Sequence, residues 1–434
     1  MWKPFTYLAG ALYLLLTVSV TVLTPPVLAS DGVTADAIIG LDEAIKKTLT
    51  HNPSLIAFGY QIEAQHGRVI QAELRPNLEL GLAVENALGS GEFEGIDRAE
   101  TTLSLGWVLE RGKRQARVAA ARAGVSIFES QADVRRTDAA AETARLFLES
   151  LANQALLVQT QDAVTLAEET VNAVSDRVRA GRTPDADLAR AEAQLARTQL
   201  AHEDLEHELE TSNHQLAAQW GEPQPDFLSV SGDLHKVPVI EDFRRLLTLI
   251  ERNPDLSRYL SQQRLREAEL RLAESEAKPN WRVTAGIRRL AQSDDQALVA
   301  GITIPLTLRN RNQGRIAEAR ANLAGVEANR AATHLQLETQ LFAFYQEFQH
   351  SLHRIKTLRE QVLPRVEKAL VDTQRAYTAG RYGYFELQLV QREVLSTRMA
   401  LVDASTDAHK RLIEIERLTG TVITTSVKHP RGIK

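Results

Sequence analysis

KRQARVAAARAGVSIFESQADVRRTDAAAETARLFLESLANQALLVQTQDAVTLAEETVNAVSDRVR, Lys113–Arg179, contains no proline and a single glycine, Gly124. At about 1.5 Å per residue, a helix of this length is a rod of roughly 100 Å, far longer than the helices of a compact domain. Along it Leu157, Val164, Val171 and Val178 recur every seven residues, with Thr160, Ala167 and Val174 filling the alternate steps of three and four. That is a coiled-coil seam. After Gly181 and Pro184, Leu188, Leu195, His202, Leu209 and Leu216 again recur every seven residues. The chain rises, turns and comes back.

Upstream of the rod the period changes. In residues 77–86, Leu78, Leu80, Leu82 and Val84 alternate with Glu79, Gly81, Ala83 and Glu85. Residues 100–109 repeat the alternation with Leu103, Leu105, Trp107 and Leu109. Between them lies a Gly-rich loop. This predicts a hairpin of about ten residues per strand, the length that crosses a bilayer at a tilt. A second pair follows, with Trp281, Val283, Ala285 and Ile287 in one strand and Leu298, Ala300, Ile302, Ile304 and Leu306 in the other; residues 292–296 form the turn. Four strands with an aliphatic face cannot close a barrel, and the smallest outer-membrane barrels have about eight, so several chains must share one.

The design is duplicated. His51-Asn52-Pro53 recurs as Arg252-Asn253-Pro254, Pro76-Asn77 as Pro279-Asn280, residues 119–123 as 317–321, and Arg179-Ala180-Gly181-Arg182 as Thr378-Ala379-Gly380-Arg381. The heptads answer each other too: Leu363, Leu370 and Tyr377 match Val164, Val171 and Val178. In each copy two shorter helices, residues 41–75 with 184–220 and residues 241–278 with 384–419, can stack end to end beside one long rod, residues 113–179 or 311–379. Asn52 is placed to cap a helix that starts with Pro53. The predicted organisation is a signal peptide at residues 1–29, a first repeat at 30–221, a linker at 222–240, a second repeat at 241–421 and a tail at 422–434.

Lys3, the apolar residues 8–22 and Val27-Leu28-Ala29 carry the signal-peptide reading and direct the chain out of the cytoplasm. No cysteine is present, which excludes disulfides, thiol catalysis, cysteine zinc sites and a lipidated N-terminal Cys. A net charge of -5 offers no basic surface for nucleic acid. No nucleophile with base and orienter, no phosphate loop and no paired-carboxylate pocket stands out, so an enzyme is not expected and no cofactor is implied. The polar inner strand faces and the rods that continue from them suit a water-filled duct.

The order of helix, strand hairpin, long helix, Gly turn and return helix, present twice, resembles the TolC-like outer-membrane factors of efflux pumps and type I secretion. Local strings look like the cobalt-zinc-cadmium resistance branch: Leu74-Arg75-Pro76-Asn77, Glu85-Asn86 followed by Gly89-Ser90-Gly91, Gly112-Lys113-Arg114, and Arg309-Asn310-Arg311-Asn312-Gln313-Gly314. Leu78 and Arg111 depart from that branch, standing in place of a proline and a glycine. The resemblance implies a fold that is mainly α with a transmembrane β portion: a duplicated coiled-coil tunnel below a 12-stranded barrel shared by a homotrimer. It also implies an outer-membrane location in a Gram-negative bacterium, a periplasmic adaptor protein, an inner-membrane pump of the resistance-nodulation-division class, and divalent metal cations as cargo. A drug-efflux or type I secretion duct shares this architecture, and a soluble periplasmic coiled-coil adaptor is the reading from another class.

On the same resemblance the Gly turns are periplasmic tips. Arg179, Gly181, Arg182, Thr378, Gly380 and Arg381 are candidate adaptor contacts; each Gly also serves as a helix C-cap whatever the function. Related ducts close their entrance with acidic residues six and nine positions after the second-copy Gly. Glu386 matches the first, with Asp187 as its first-copy equivalent, and Leu389 occupies the second. A solvated face or an intrahelical pair is the plainer reading of these acids. His350 and His353, three apart on a helix, and His202 on the seam are weak candidates for metal, because a closed zinc site needs four ligands.

Overall fold

In the computed structural model, residues 38–421 are described, so the readings of residues 1–29 as signal peptide and 422–434 as tail lie outside the described residues. The first copy comprises β1 (Ile38–Gly40), α1 (Leu41–His51), α2 (Pro53–Glu73), β2 (Glu79–Glu85), β3 (Glu100–Leu109), α3 (Lys113–Arg179) and α4 (Asp185–Ala218). After β4 (Ser229–Ser231), the second copy comprises α5 (Phe243–Leu249), α6 (Pro254–Glu276), β5 (Trp281–Leu290), β6 (Asp295–Thr303), α7 (Gln313–Thr357), α8 (Leu363–Thr378) and α9 (Tyr384–Thr419).

The first rod, α3, is unbroken over 67 residues. Its seam with α4 uses both halves of the heptad: Ala191, Thr198, Leu205 and Ser212 are buried between the leucine positions read from the sequence. The second rod is not continuous. A five-residue π-helical turn, Leu358–Val362, separates α7 from α8, and the Leu363 N–H donates to the Leu358 carbonyl. The cause is Pro364, which lacks an N–H and whose ring crowds the carbonyl four residues back. A π turn holds one residue more than an α turn. The repeat arithmetic agrees, since residues 119–123 lie 198 positions from their counterparts whereas Gly181 lies 199 from Gly380. The extra residue of the second copy is housed in this turn.

The end-to-end helix stacks are pinned by one side chain each. Asn52 Oδ1 accepts from the N–H groups of Ser54 and Leu55, capping α2, while its Nδ2 donates to the Gln219 carbonyl just past α4 at 2.7 Å. Asn253 does the same in the second copy, accepting from Asp255 N–H and donating to the Leu418 carbonyl in α9 at 2.9 Å. Gly221 and Gly420 close these joints with φ of +82° and +63°. A Cβ at Gly420 would come within 2.8 Å of the Arg252 carbonyl oxygen, so only glycine fits.

Around the joints lie two apolar clusters. One gathers Phe147, Leu148, Leu216, Trp220, Phe227 and Val230; the other gathers Ile250, Leu256, Leu341, Phe348, Ile415 and Leu418. The segment read as a linker takes part in the first, because β4 pairs in parallel with β1, Ile39 opposite Val230.

The four long strands form one antiparallel sheet in the order β2-β3-β5-β6. The two hairpins therefore meet through β3 and β5, where Leu103 faces Ile287 and Trp107 faces Val283. Two strand limits differ from the sequence reading: β2 starts at Glu79 rather than residue 77, and β6 spans Asp295–Thr303 rather than beginning at Leu298 after a turn at 292–296. The turn is Ala291 to Asp294, with Asp294 in left-handed conformation at φ +56°. A short polar turn beside an alternating strand carries no mark of where pairing begins.

Candidate functional site: the strand sheet and the hairpin tips

The sheet has two chemically distinct faces. Leu80, Leu82, Leu103, Leu105, Ile287 and Leu298 lie on one, exposed, with Leu298 at 89%. On the other, Arg288 is the hub of a charged ladder, donating to Glu100 at 2.7 Å, Glu85 at 3.0 Å and Thr102 at 2.9 Å. Arg282 pairs with Glu79 across β3. Gly286 lets the strands close, since a Cβ there would lie 2.4 Å from the Leu103 carbonyl oxygen. One face is built for lipid and the other for water.

At the far end of the helices the two hairpins, α3–α4 and α8–α9, pack through Val174, Ala191, Tyr377, Tyr384 and Leu387. Both turns are the same helix stop. Gly181 N–H donates to Val178 carbonyl and Arg182 N–H to Arg177 carbonyl; Gly380 N–H donates to Tyr377 carbonyl and Arg381 N–H to Ala376 carbonyl. The glycines sit at φ +69° and +76°, in the left-handed region. Arg179 is tied to Asp176 at 2.6 Å, and the Thr378 hydroxyl donates to the Gln374 carbonyl. Arg182 and Arg381 are exposed, and their side chains make no ion pair among the described residues.

Sequence reasoning missed the residue that ties the tips together. Arg177 lies 4.5 Å from the centre of the Tyr377 ring and donates to the Tyr377 carbonyl. Tyr377 answers Val178 in the repeat, so a tyrosine in a valine's place was the available signal. Burial, offset by Arg177 and reinforced by Asp187, pushes the Tyr377 phenol above its ordinary pKa. Asp187 thus faces this tyrosine pair and also reaches Arg190 at 3.6 Å. Glu386 is engaged locally: its Oε2 accepts from the Gly383 N–H at 3.1 Å, closing the first turn of α9. No hydrogen bond or ion pair joins Glu386 to Asp187 among the described residues.

The histidines are not brought together. His202 shares a hydrogen bond with the Thr160 hydroxyl at 3.0 Å and lies 3.7 Å from Glu206; His350 lines a groove with Glu347, Arg354 and Asp407. Among the described residues no three His, Cys, Asp or Glu are grouped to hold a metal ion. No helix among them is long and apolar enough to cross a membrane.

The outer membrane efflux protein family model matches residues 44–222 and 246–421, taking in both copies. The chain belongs to this family. It is an outer-membrane efflux channel rather than an enzyme, and its helices extend the duct into the periplasm. Among curated proteins it is similar to the cobalt-zinc-cadmium resistance protein CzcC of Cupriavidus metallidurans, 24% identical over 88% of this chain and 90% of that one. Among solved structures it resembles the outer membrane protein VceC of Vibrio cholerae, 19% identical with a TM-score of 0.71 over 88% of this chain and 97% of that one. It also resembles the outer membrane channel MtrE of Neisseria gonorrhoeae in its open state, 18% identical with a TM-score of 0.70 over 88% and 89%. The efflux family's duplicated hairpin is thus the architecture that positions the sheet and tips described above.

Proposed function

We propose that this efflux channel is the outer-membrane duct of a tripartite system that exports divalent heavy-metal cations, working as a homotrimer with a periplasmic adaptor and a resistance-nodulation-division pump. The observation that carries the trimer is the open sheet. Its edges, β2 and β6, are unpaired among the described residues. The helices attached to those edges carry apolar residues on a common exposed face, Ile56, Tyr60 and Ile70 on α2 and Leu335 and Phe342 on α7. Pairing β6 of one copy with β2 of the next completes the ladder that lipid requires and brings these helix faces toward each other.

The cargo reading is supported by the likeness to CzcC, whose name records cobalt, zinc and cadmium resistance. Adaptor docking is assigned to the tips, where Arg182 and Arg381 are free to meet acidic groups while Arg179 is held by Asp176. The entrance gate is assigned to Glu386 and Asp187, with Glu386 released from Gly383 when the tip opens.

The test is a deletion strain challenged separately with zinc, cobalt and cadmium salts and with lipophilic drugs. Metal sensitivity rescued by the intact gene supports the reading. Drug sensitivity alone would reassign the cargo, and a water-soluble monomer on purification would end the duct.

A further inference from the structure

The two ends of the sheet differ in charge. The segments joining strands to helices, residues 74–78, 110–112, 277–280 and 304–312, carry five Lys or Arg against one acid, Glu110. The hairpin loops at the opposite end, residues 86–99 and 291–294, carry four acids against one arginine, Arg98. The helix end is therefore a basic collar.

Within that collar, residues 304–312 are anchored at one end, where Asn312 Nδ2 donates to the Ala273 carbonyl at 2.8 Å, and are exposed along most of their length. Leu306 and Leu308 are 78% and 73% exposed, and the Leu308 N–H donates to the Leu306 carbonyl in a tight turn. Arg309 and Arg311 follow, both exposed, and their side chains make no ion pair or hydrogen bond among the described residues. Across the sheet's end Arg111 lies over the Trp281 ring at 4.7 Å, where β3 ends and β5 begins. The exposed leucines follow β6 directly in the chain, and the free arginines follow the leucines.

We propose that this collar binds the anionic headgroups of phospholipids in the periplasmic leaflet, centred on Arg309 and Arg311, with Leu306 and Leu308 among the acyl chains. The occupant is argued from charge and from continuity. Two guanidinium groups without acceptors among the described residues follow the end of a strand of the aliphatic sheet, where headgroup phosphates would meet them, and the adjoining leucines are apolar as the acyl region requires. Trp281 supplies the aromatic ring common at such a rim. The same leucines and arginines at a tip surrounded by water would have no such match. The inference rests on the sheet being membrane-inserted, and it is independent of cargo and pump.

The full chain is reconstituted into phosphatidylcholine vesicles with and without phosphatidylglycerol, and retained lipids are counted by native mass spectrometry after extraction. Thermal midpoints are read in the same detergents. The wild type is expected to retain phosphatidylglycerol and to gain stability from it. The double variant Arg309→Gln/Arg311→Gln should show a roughly 30-fold weaker preference, about 1 kcal/mol for each basic group, with its midpoint in phosphatidylcholine unchanged. Arg309→Lys/Arg311→Lys should keep most of the preference, and Lys356→Gln/Lys368→Gln, on the remote helices, all of it. Equal retention of both lipids by the wild type overturns the proposal. So does an unchanged preference in the glutamine variant, or loss of its oligomer, which would give the arginines to a neighbouring copy. Failure to enter either vesicle would refute the membrane placement itself.

Discussion

Asn253 and Leu418, 165 positions apart, are joined by one hydrogen bond of 2.9 Å that locks the start of α6 to the end of α9. The same asparagine caps α6, so a single buried side chain satisfies one donor of α6, the Asp255 N–H, and two carbonyl acceptors of α9. Replacing it with alanine removes a cap and leaves two carbonyls, those of Arg417 and Leu418, without their donor. Asn253→Ala is expected to cost about 2 kcal/mol or more, and Asn52→Ala, at the more exposed first-copy joint, about 1 kcal/mol. Thermal melts of the two variants check the order; equal midpoints would mean that the deeper burial of Asn253 adds nothing to the cost.

Buried His409 gives the same region a dependence on pH. Its Nε2–H donates to the Leu234 carbonyl at 3.2 Å, while Nδ1 is buried without a partner. Burial, opposed by the Leu234 bond and by Asp233, holds its pKa below the ordinary value of 6.5. The unfolded chain therefore binds a proton before the folded chain does, so stability falls as pH drops below about 6.5 and levels off below the folded pKa. The thermal midpoint should decline as pH falls through about 6.5 in the wild type, and less steeply in His409→Gln. Parallel profiles would show that carboxylates elsewhere control the acid response.

The tip arginines separate docking from folding. Arg177 is used inside the molecule, stacked on Tyr377, whereas Arg182 and Arg381 reach into solvent. Arg182→Glu/Arg381→Glu should leave the thermal midpoint within about 0.5 kcal/mol of the wild type and abolish export in a complementation assay. Arg177→Ala should instead lower stability. If both variants export normally, the adaptor meets another surface.

The duplication, the four strands and the tip glycines were legible because each leaves a period or a paired string: seven for the seams, two for the strands, Gly181 and Gly380 in matching words. The β1–β4 pair was not, since three residues a side are too few to show a period. Arg177 and Tyr377 are 200 positions apart, and contact at that distance leaves no local pattern. The capping bond of Glu386 was legible too, since a glutamate three residues after Gly383 at a helix start fits the N3 position of a cap.

The π turn tests whether the two copies share one geometry. If Leu358–Val362 exists only to house an additional residue ahead of Pro364, deleting Gln361 together with Pro364→Ala should convert the second rod into an unbroken α-helix like α3. Residues before and after the turn would keep their faces, because the extra residue is the only thing removed. The cost should stay within about 1 kcal/mol. Deleting Ala328 within α7 is different: every residue on one side of the cut rotates by about 100° relative to the other, carrying polar positions into the seam that Leu337, Leu341 and Phe348 fill. That deletion should cost several kcal/mol or prevent assembly. Circular dichroism melts of the two deletions decide the matter; equal damage would mean that the π turn shapes the second hairpin rather than merely absorbing a residue.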